Sequence, residues 1–149
     1  MVPYMCHKDD IVAPGSEIPK WFSYQSVDHS MKINEPSHLC KELMEIALCI
    51  VFCSPPQEKI QDNSLSCWLT VNGKVMSPAP SICEIDVLSN HIWLLYLLSQ
   101  FYHKEEIKSL LESDSNGFNQ ISIYFGGFGM VVKKCGLRMV YKRDIEELN

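Results

Sequence analysis

Alternation of apolar and polar residues with a period of two is the strongest pattern along this chain. Residues 65–71 are apolar at every second position, and Asn72-Gly73 follows them, a pair favoured in two-residue β-hairpin turns. Residues 121–125 and 137–141 alternate in the same way. Each stretch has the length and composition of a half-buried β-strand. The pattern therefore predicts a strand that leads into a hairpin turn and two further strands later in the chain.

Two longer apolar runs predict buried strands. Residues 44–53 are apolar on both alternate faces apart from Glu45, which suits a central strand. Residues 92–98 are apolar throughout and short for a buried helix. Weaker strand signals cover residues 21–27, 30–34 and 82–88. About eight short strands with little helix predict an all-β fold, either a two-sheet sandwich or jelly roll or, as the alternative, a partly open barrel.

One helix and several chain breaks are also predicted. Residues 104–112 place three apolar side chains on one face, opposite Glu105 and Glu106, which indicates a helix of about two turns. The glycine-rich residues 126–129 predict a bend or bulge that breaks the strand before them. Residues 144–148 are interpreted as a short acidic tail.

The chain of 149 residues has the size of a single domain. Residues 1–13 lack a clear period and are interpreted as a connector, so that the domain covers residues 14–149. Two polar segments predict exposed loops, residues 54–66, which contain two prolines, and residues 103–116. Because loops tolerate changes that a packed core does not, both are candidate binding loops.

Composition and charge narrow the class of protein. The chain is 46% hydrophobic and 21% charged, as an ordinary globular domain is. Its net charge of -5 disfavours nucleic-acid binding, which depends on Lys and Arg neutralising phosphates. The apolar runs fall short of the roughly 20 residues that span a bilayer, and the first residues do not resemble a secretion signal. We therefore expect a soluble domain that binds neither nucleic acid nor membrane.

Cysteine usage predicts a reducing compartment, the cytoplasm or the nucleus. The seven cysteines form no CxxC pair, and the chain has no Asn-x-Ser/Thr sequon. Cys49 and Cys53 lie four residues apart in a predicted strand, so their Cα atoms are separated by roughly 13 Å. That distance is too long for a disulfide or a shared metal ion, and a core position is expected for both.

Candidate catalytic groups are scattered. Cys135 follows Lys134, which favours a thiolate, but no base identifies itself, and the five histidines match no metal or triad signature. Residues 126–129 lack the spacing of a phosphate-binding loop. We predict no catalytic residue, no metal site and no cofactor. Trp21 and Trp93 are expected in the core, whereas Trp68 lies on the polar side of its strand, where it could stack on a sugar or anchor a partner.

Three segments of the sequence together resemble one known family. They are Pro14-Gly15-Ser16-Glu17-Ile18-Pro19-Lys20-Trp21-Phe22, His91-Ile92-Trp93-Leu94-Leu95-Tyr96 and Lys134-Cys135-Gly136-Leu137-Arg138-Met139-Val140-Tyr141. The first strongly resembles the opening of the C-terminal jelly-roll/Ig-like domain that follows the leucine-rich repeats of plant TIR-type NLR immune receptors. The other two resemble that family's central strand and closing segment. Ile92 and Asn90 depart from the usual Leu and Asp without disturbing the expected fold.

The resemblance implies a non-catalytic β-sandwich that docks on the last leucine-rich repeats and with them binds a pathogen effector, which activates the receptor. It implies no enzymatic activity in this domain, and the isolated domain is expected to be monomeric. The residues expected to contact the partner are Gln57, Glu58, Lys59, Gln61, Asp62, Asn63, His103, Lys104, Glu105, Glu106, Asp114 and Asn116. The residues expected to be structural are Pro14, Gly15, Ser16, Glu17, Ile18, Pro19, Trp21, Phe22, Trp93, Cys135 and Gly136, with a turn at Pro14-Gly15 and an edge position for Pro19.

Three other functions stay open at this point. The domain could be a structural cap of the repeat array, since terminal repeats need covering. It could be a carbohydrate-binding jelly roll that relies on exposed aromatic side chains. A cysteine hydrolase is the third and weakest alternative.

Overall fold

The computed structural model describes residues 4–6, 11–54, 63–83, 88–112 and 117–146. In these residues eleven strands form two sheets that share one core. Sheet A contains β1 (Tyr4–Cys6), β4 (Ser30–Pro36), β6 (Ser64–Val71), β7 (Lys74–Val75), β8 (Ala79–Cys83) and β10 (Phe118–Phe128). Sheet B contains β2 (Ile11–Pro14), β3 (Tyr24–Ser26), β5 (Leu43–Cys53), β9 (His91–Tyr96) and β11 (Val131–Tyr141). The helices are a 3-10 helix (Ser37–Glu42), α1 (Leu97–Gln100), α2 (Lys104–Glu112) and α3 (Lys142–Glu146).

The strand order confirms the predicted all-β sandwich. Sheet A runs β1-β8-β6-β10-β4 with β7 paired to β6, and sheet B runs β2-β9-β5-β11-β3. Only β1 and β8 pair in parallel among these strands. Most successive strands lie in opposite sheets, so their connections arch across the edge of the sandwich.

The core lies between the sheets where the alternation predicted it. In β6 the apolar residues Leu65, Cys67, Leu69 and Val71 are buried. Trp68 and Thr70, which alternate with them, are partly exposed. The prediction that β5 is a central strand is confirmed, since it lies between β9 and β11 and is buried for most of its length. Trp93 is fully buried, as expected. The hydrophobic pattern therefore determines which face of each strand turns inward.

A buried carboxylate joins the two sheets near β3 and β4. Glu35 of β4 accepts hydrogen bonds from the hydroxyl groups of Tyr24 in β3, at 2.8 Å, and Tyr141 in β11, at 3.0 Å. Burial, together with the hydrogen bond to Glu35, raises the pKa of Tyr24 to about 12. Each polar atom of this cluster thus has a partner inside the protein, as a buried polar group requires.

The apolar run at residues 92–98 is not one strand. The strand ends at Tyr96, and Leu97–Gln100 forms the short helix α1. The carboxylate of Glu45 accepts hydrogen bonds from the backbone N–H groups of Leu98, at 2.6 Å, and Ser99, at 3.0 Å. These two N–H groups would otherwise lack a partner within so short a helix, so Glu45 stabilises the change from strand to helix.

The glycines at residues 126–129 do not break the strand where predicted. β10 continues to Phe128, and Gly126 and Gly127 pair with β6 without a register shift. A Cβ atom on Gly127 would lie 2.1 Å from the backbone oxygen of Ser64. Glycine is therefore needed there for close approach of two backbones, and the chain turns at Gly129, whose φ is +74°.

Several other predicted boundaries change. The strand predicted at residues 21–27 is only Tyr24–Ser26. The strand predicted at 82–88 begins earlier, since β8 covers Ala79–Cys83, and residues 84–87 lie outside the described residues. Only the last three residues of β8 pair with β6. Pro80 lies outside this pairing, so its missing N–H group leaves no gap in the hydrogen bonds between the two strands. In the described residues the chain forms three α-helices and a 3-10 helix, whereas the sequence predicted one helix. α3 lies where an acidic tail was expected. Strand β1 and the first three residues of β2 lie in residues 1–13, which the sequence assigned to a connector.

Two local predictions are confirmed. The helix α2 spans Lys104–Glu112, the residues whose pattern predicted it. Asn72 and Gly73 both have positive φ angles and join β6 to β7 as a hairpin.

Candidate functional site

The two predicted binding loops lie at opposite ends of the sandwich. Strand β6 begins at Ser64, next to the first loop, and ends at Val71, near α2 of the second. Seven residues of strand separate these points, a distance of roughly 23 Å. One small contact patch therefore cannot include both. We call the end that carries residues 54–63 the loop end, and the end that carries α2 the helix end.

At the loop end, the strand ends on either side of residues 54–63 lie beside the ends of β10 and β11. Cys53 pairs with Val131 in sheet B, and Ser64 pairs with Phe128 in sheet A. Both connections therefore cross between the sheets at the same edge. The predicted contact residues Gln57, Glu58, Lys59, Gln61 and Asp62 lie outside the described residues. Asn63 is only 5% exposed, so its side chain does not lie on a surface that a partner could contact.

Three large apolar side chains are exposed at the loop end, and the sequence pattern did not predict them. Phe128 is 62% exposed, Val131 is 40% exposed, and Leu88, which precedes β9, is 71% exposed. Their signal in the sequence is weak, because Phe128 and Val131 flank a glycine turn and resemble ordinary strand ends. Exposed apolar residues that cluster are typical of protein interaction sites.

At the helix end, α2 is packed against the sandwich. Ile107 and Leu111 are fully buried beneath it, and the ammonium group of Lys108 donates to the backbone oxygen of Lys41 at 2.8 Å. His103, Glu105 and Glu106 are exposed and Lys104 is half-buried, whereas Asp114 and Asn116 lie outside the described residues. The exposed side of α2 is thus available to a partner, on a helix with a fixed position.

The side chain of Asn72 holds α2 against the β6–β7 hairpin. Its Nδ2 donates to the backbone oxygen of Leu110 at 3.1 Å and to Oδ1 of Asn119 at 2.9 Å. Its Oδ1 accepts from the backbone N–H of Gln120 at 2.8 Å. Asn72 has a φ of +49°, a conformation that Asn tolerates better than most residues. One residue therefore serves both the turn and the helix contact.

We expect Asn72→Gly to lower the free energy of unfolding by about 1–2 kcal/mol, because it keeps the turn conformation and removes three partly exposed hydrogen bonds. Urea denaturation measures the change, and hydrogen exchange should show faster exchange of the α2 amides. Lys74→Ala, in the same hairpin, is the control with an expected change near zero. Equal effects of the two substitutions would contradict this role of Asn72.

A strap formed by residues 15–23 crosses the outer face of sheet B. Its buried side chains Ile18 and Phe22 pack with Ala47, Cys49 and Val51 of β5 into a second hydrophobic cluster, separate from the main core. Sheet B is therefore covered on both faces, which explains why β5 is apolar at successive positions.

Gly136 of β11 provides the space in which the strap lies. A Cβ atom at this position would lie 2.6 Å from Cγ2 of Ile18 and 3.1 Å from Cβ of Phe22. Gly15 is similarly close to Ile92, since a Cβ atom added to this glycine would lie 2.6 Å from Cδ1 of Ile92. The N–H of Gly15 also donates to the backbone oxygen of Asn90. Both glycines allow close packing of the strap.

Polar contacts hold the strap to β11 from outside. Glu17 forms an ion pair with Lys134 at 3.2 Å. Arg138 donates to the backbone oxygen of Trp21 at 2.8 Å, and its guanidinium lies 4.7 Å from the centre of the indole ring. The prediction of Trp21 in the core is wrong, because its side chain is 44% exposed and rests on Arg138. A turn from Pro19 to Phe22 directs Trp21 outward while Phe22 turns inward.

The strap, β9 and β11 are the three segments that suggested the family, and the fold brings them together on sheet B. The C-JID domain matches residues 13–146, nearly the whole chain. The chain belongs to the C-JID family. C-JID domains follow the leucine-rich repeats of TIR-type NLR receptors and are non-catalytic recognition domains. No curated protein is similar enough to the chain to count as a match.

Four described cysteines of this C-JID domain, Cys40, Cys49, Cys67 and Cys135, are buried thiols. Burial, and to a smaller extent the carboxylate of Asp28, raises the pKa of the Cys135 thiol to about 11. A thiol that stays protonated is a poor nucleophile. The cysteines present as thiols are Cys40, Cys49, Cys53, Cys67 and Cys135. Cys83 differs from the expectation of free thiols, because it is disulfide-bonded.

The described part of this C-JID domain lacks a cluster of metal ligands. Among the residues that the structure describes, no group of three or more His, Cys, Asp or Glu side chains could hold a metal ion. No helix in the described ranges is long and apolar enough to cross a membrane.

Proposed function

We propose that this C-JID domain binds a pathogen effector through its loop end, together with the leucine-rich repeats of the same receptor, and thereby triggers receptor activation. The observation that carries the proposal is the exposure of three large apolar side chains at the loop end, Leu88, Phe128 and Val131. Anchors of this kind contribute most of the binding energy in protein interfaces, and polar neighbours exclude water around them.

The fold supports this choice of surface because the loop end can change without unfolding the sandwich. The strap and the core lie along the sheets, away from the arch tips. The proposal includes a monomeric isolated domain, without nucleic-acid or membrane partners, in the cytoplasm or nucleus. The net charge of -5 supports the absence of a nucleic-acid partner, and the five described cysteines present as thiols support a reducing compartment, whereas the disulfide of Cys83 does not.

The test compares two exposed phenylalanines of the same strand. Phe128 at the loop end and Phe118 at the helix end are 62% and 57% exposed. We expect Phe128→Ser combined with Val131→Ser to abolish retention of a pathogen protein from infected leaf extract, while Phe118→Ser retains it. With that pathogen protein purified, the double variant should bind at least about tenfold more weakly, since an anchor residue contributes about 2 kcal/mol or more.

Cooperative melting of each variant must be checked first, so that lost binding is not lost folding. Equal retention of a pathogen protein by both variants would remove the loop end as the effector surface and favour the helix end. No retention by either variant or by the unchanged domain would favour a structural cap of the repeats.

A further inference from the structure

The solvent side of sheet A carries an aromatic platform formed by His29, Trp68 and Tyr124. Trp68 of β6 and Tyr124 of β10 are direct partners across the strands, with ring centres 6.1 Å apart and planes tilted by 48°. The ring of His29 lies edge-on to Tyr124 at 5.4 Å. Tyr124 is 51% exposed and Trp68 is half-buried, which confirms that Trp68 lies on the side away from the core.

Gly126 gives both rings room above the sheet. A Cβ atom there would lie 3.0 Å from Cε1 of Tyr124 and 3.5 Å from Cζ3 of Trp68. Because the two ring planes are tilted by 48°, the platform is twisted and each ring offers its own face. The more exposed ring, Tyr124, is the one available for stacking.

The two central strands of sheet A present uncharged residues around Trp68 and Tyr124. Charged residues make up 21% of the chain, yet none lies on the outward positions of β6 and β10, which are Ser64, Ser66, Trp68, Thr70, Gln120, Ser122, Tyr124, Gly126 and Phe128. Ser66 is buried among these. On the other side of the platform, Lys32 pairs with Ser122, and Oδ1 of Asp28 lies 2.7 Å from Nδ1 of His29. The surface of β6 and β10 therefore fits an uncharged ligand that has both an apolar face and many hydroxyl groups.

We propose that the aromatic platform binds a pyranose ring of a neutral glycan. The apolar C–H face of such a sugar stacks on the exposed ring of Tyr124, and the neighbouring ring of Trp68 borders it. Its hydroxyl groups have the hydroxyls of Thr70 and Ser122 and Nε2 of His29 as hydrogen-bond partners, since Nδ1 of His29 contacts Asp28. An ionic ligand would find little compensation for its charge among these residues.

This site is distinct from the proposed effector surface. Tyr124 and Phe128 lie four residues apart on one strand, roughly 13 Å. The proposed glycan site therefore does not depend on the proposed effector site at the loop end. It adds a small-molecule ligand to a domain whose proposed partner is a protein.

The test is an NMR titration of the whole chain with cellohexaose and, separately, chitohexaose, two neutral oligosaccharides. Binding at the platform should shift the backbone amide of Gly126 and the indole N–H of Trp68, while the indole N–H of the buried Trp93 stays in place. If neither oligosaccharide shifts these signals at millimolar concentration, or if the shifts lie elsewhere on the chain, the proposal is overturned.

Two variants separate binding from folding. Tyr124→Ala removes one ring and should weaken glycan binding at least tenfold. Gly126→Val places a side chain against both rings, which displaces the Tyr124 ring and should weaken binding at least tenfold; its cooperative melting is checked first, so that lost binding is not lost folding. Phe118→Ala, an equally exposed aromatic position of β10, should leave the affinity within twofold. Unchanged binding in Gly126→Val and Tyr124→Ala would overturn the site, whatever the effector experiment shows.

Discussion

We expect Phe22→Ala to lower the free energy of unfolding by about 3–5 kcal/mol, the range for truncation of a fully buried phenylalanine. Phe22 is buried between the strap and sheet B, where its Cβ lies 3.1 Å from the position that a Cβ on Gly136 would take. The truncation leaves a cavity above β5 and β11 and loosens the strap. Urea denaturation followed by far-UV circular dichroism measures the loss.

The control is the residue beside it. Trp21 is larger than Phe22 but 44% exposed, and its ring contacts Arg138. Trp21→Ala should therefore cost about 1 kcal/mol or less, as for an exposed cation–π contact. Gly136→Ala should cost about 1–3 kcal/mol by overpacking against Ile18. A larger loss for Trp21→Ala than for Phe22→Ala would contradict the packing of the strap.

Local patterns in the sequence determined much of the fold. Strict alternation at residues 65–71 predicted the buried and exposed positions of β6, and the Asn72-Gly73 pair predicted its hairpin. In contrast, Trp21 and Phe22 are adjacent aromatic residues in an irregular segment, where periodicity does not show which side chain turns inward. Which of the two side chains turns inward depends on the space at Gly136, 114 residues after Phe22 in the chain. A contact over that distance leaves no local pattern in the sequence.

The candidate site was less predictable because it depends on strand pairing. Polarity identified residues 54–66 and 103–116 as loops, but only the course of β6 shows that they lie at opposite ends. The same pairing shows that Phe128 and Val131 pair with Ser64 and Cys53, the strand ends on either side of the first loop. In the sequence Phe128 follows two glycines and Val131 precedes a β-bulge, so the alternation of the strands does not identify the pair as one exposed surface.

The strap explains how a recognition domain can keep its fold while its loops differ. Ile18, Phe22 and Trp93, which belong to the segments that resemble the family, lie in the hydrophobic clusters on sheet B, and Gly136 of the third segment packs against Ile18 and Phe22. The exposed residues of the loop end contribute little to that packing. Substitutions at the loop end should therefore change binding far more than stability, which the Phe128 and Val131 variants test directly.

We expect the protein to lose stability steeply above about pH 9. Burial raises the pKa of Cys49 and Cys135 to about 11, and it also raises the pKa of Cys67. In the unfolded chain a thiol titrates near pH 8.5, as a free cysteine does. A raised pKa in the folded state means that the native protein keeps protons that the unfolded chain has lost. The stability from these thiols is therefore complete below the unfolded pKa and falls as pH rises toward the folded one.

Each buried thiol lowers stability by about 1.4 kcal/mol per pH unit once the unfolded chain is ionised, so three together give about 4 kcal/mol per pH unit between roughly pH 9 and 11. Urea midpoints at pH 7, 8, 9 and 10, with reductant present in every sample, measure this slope. Cys67→Ala should reduce the slope by about one third although it also lowers stability at pH 7. Stability that stays constant from pH 8 to 10 would show that these thiols are open to solvent, because only a buried thiol gives the native state this difference in bound protons.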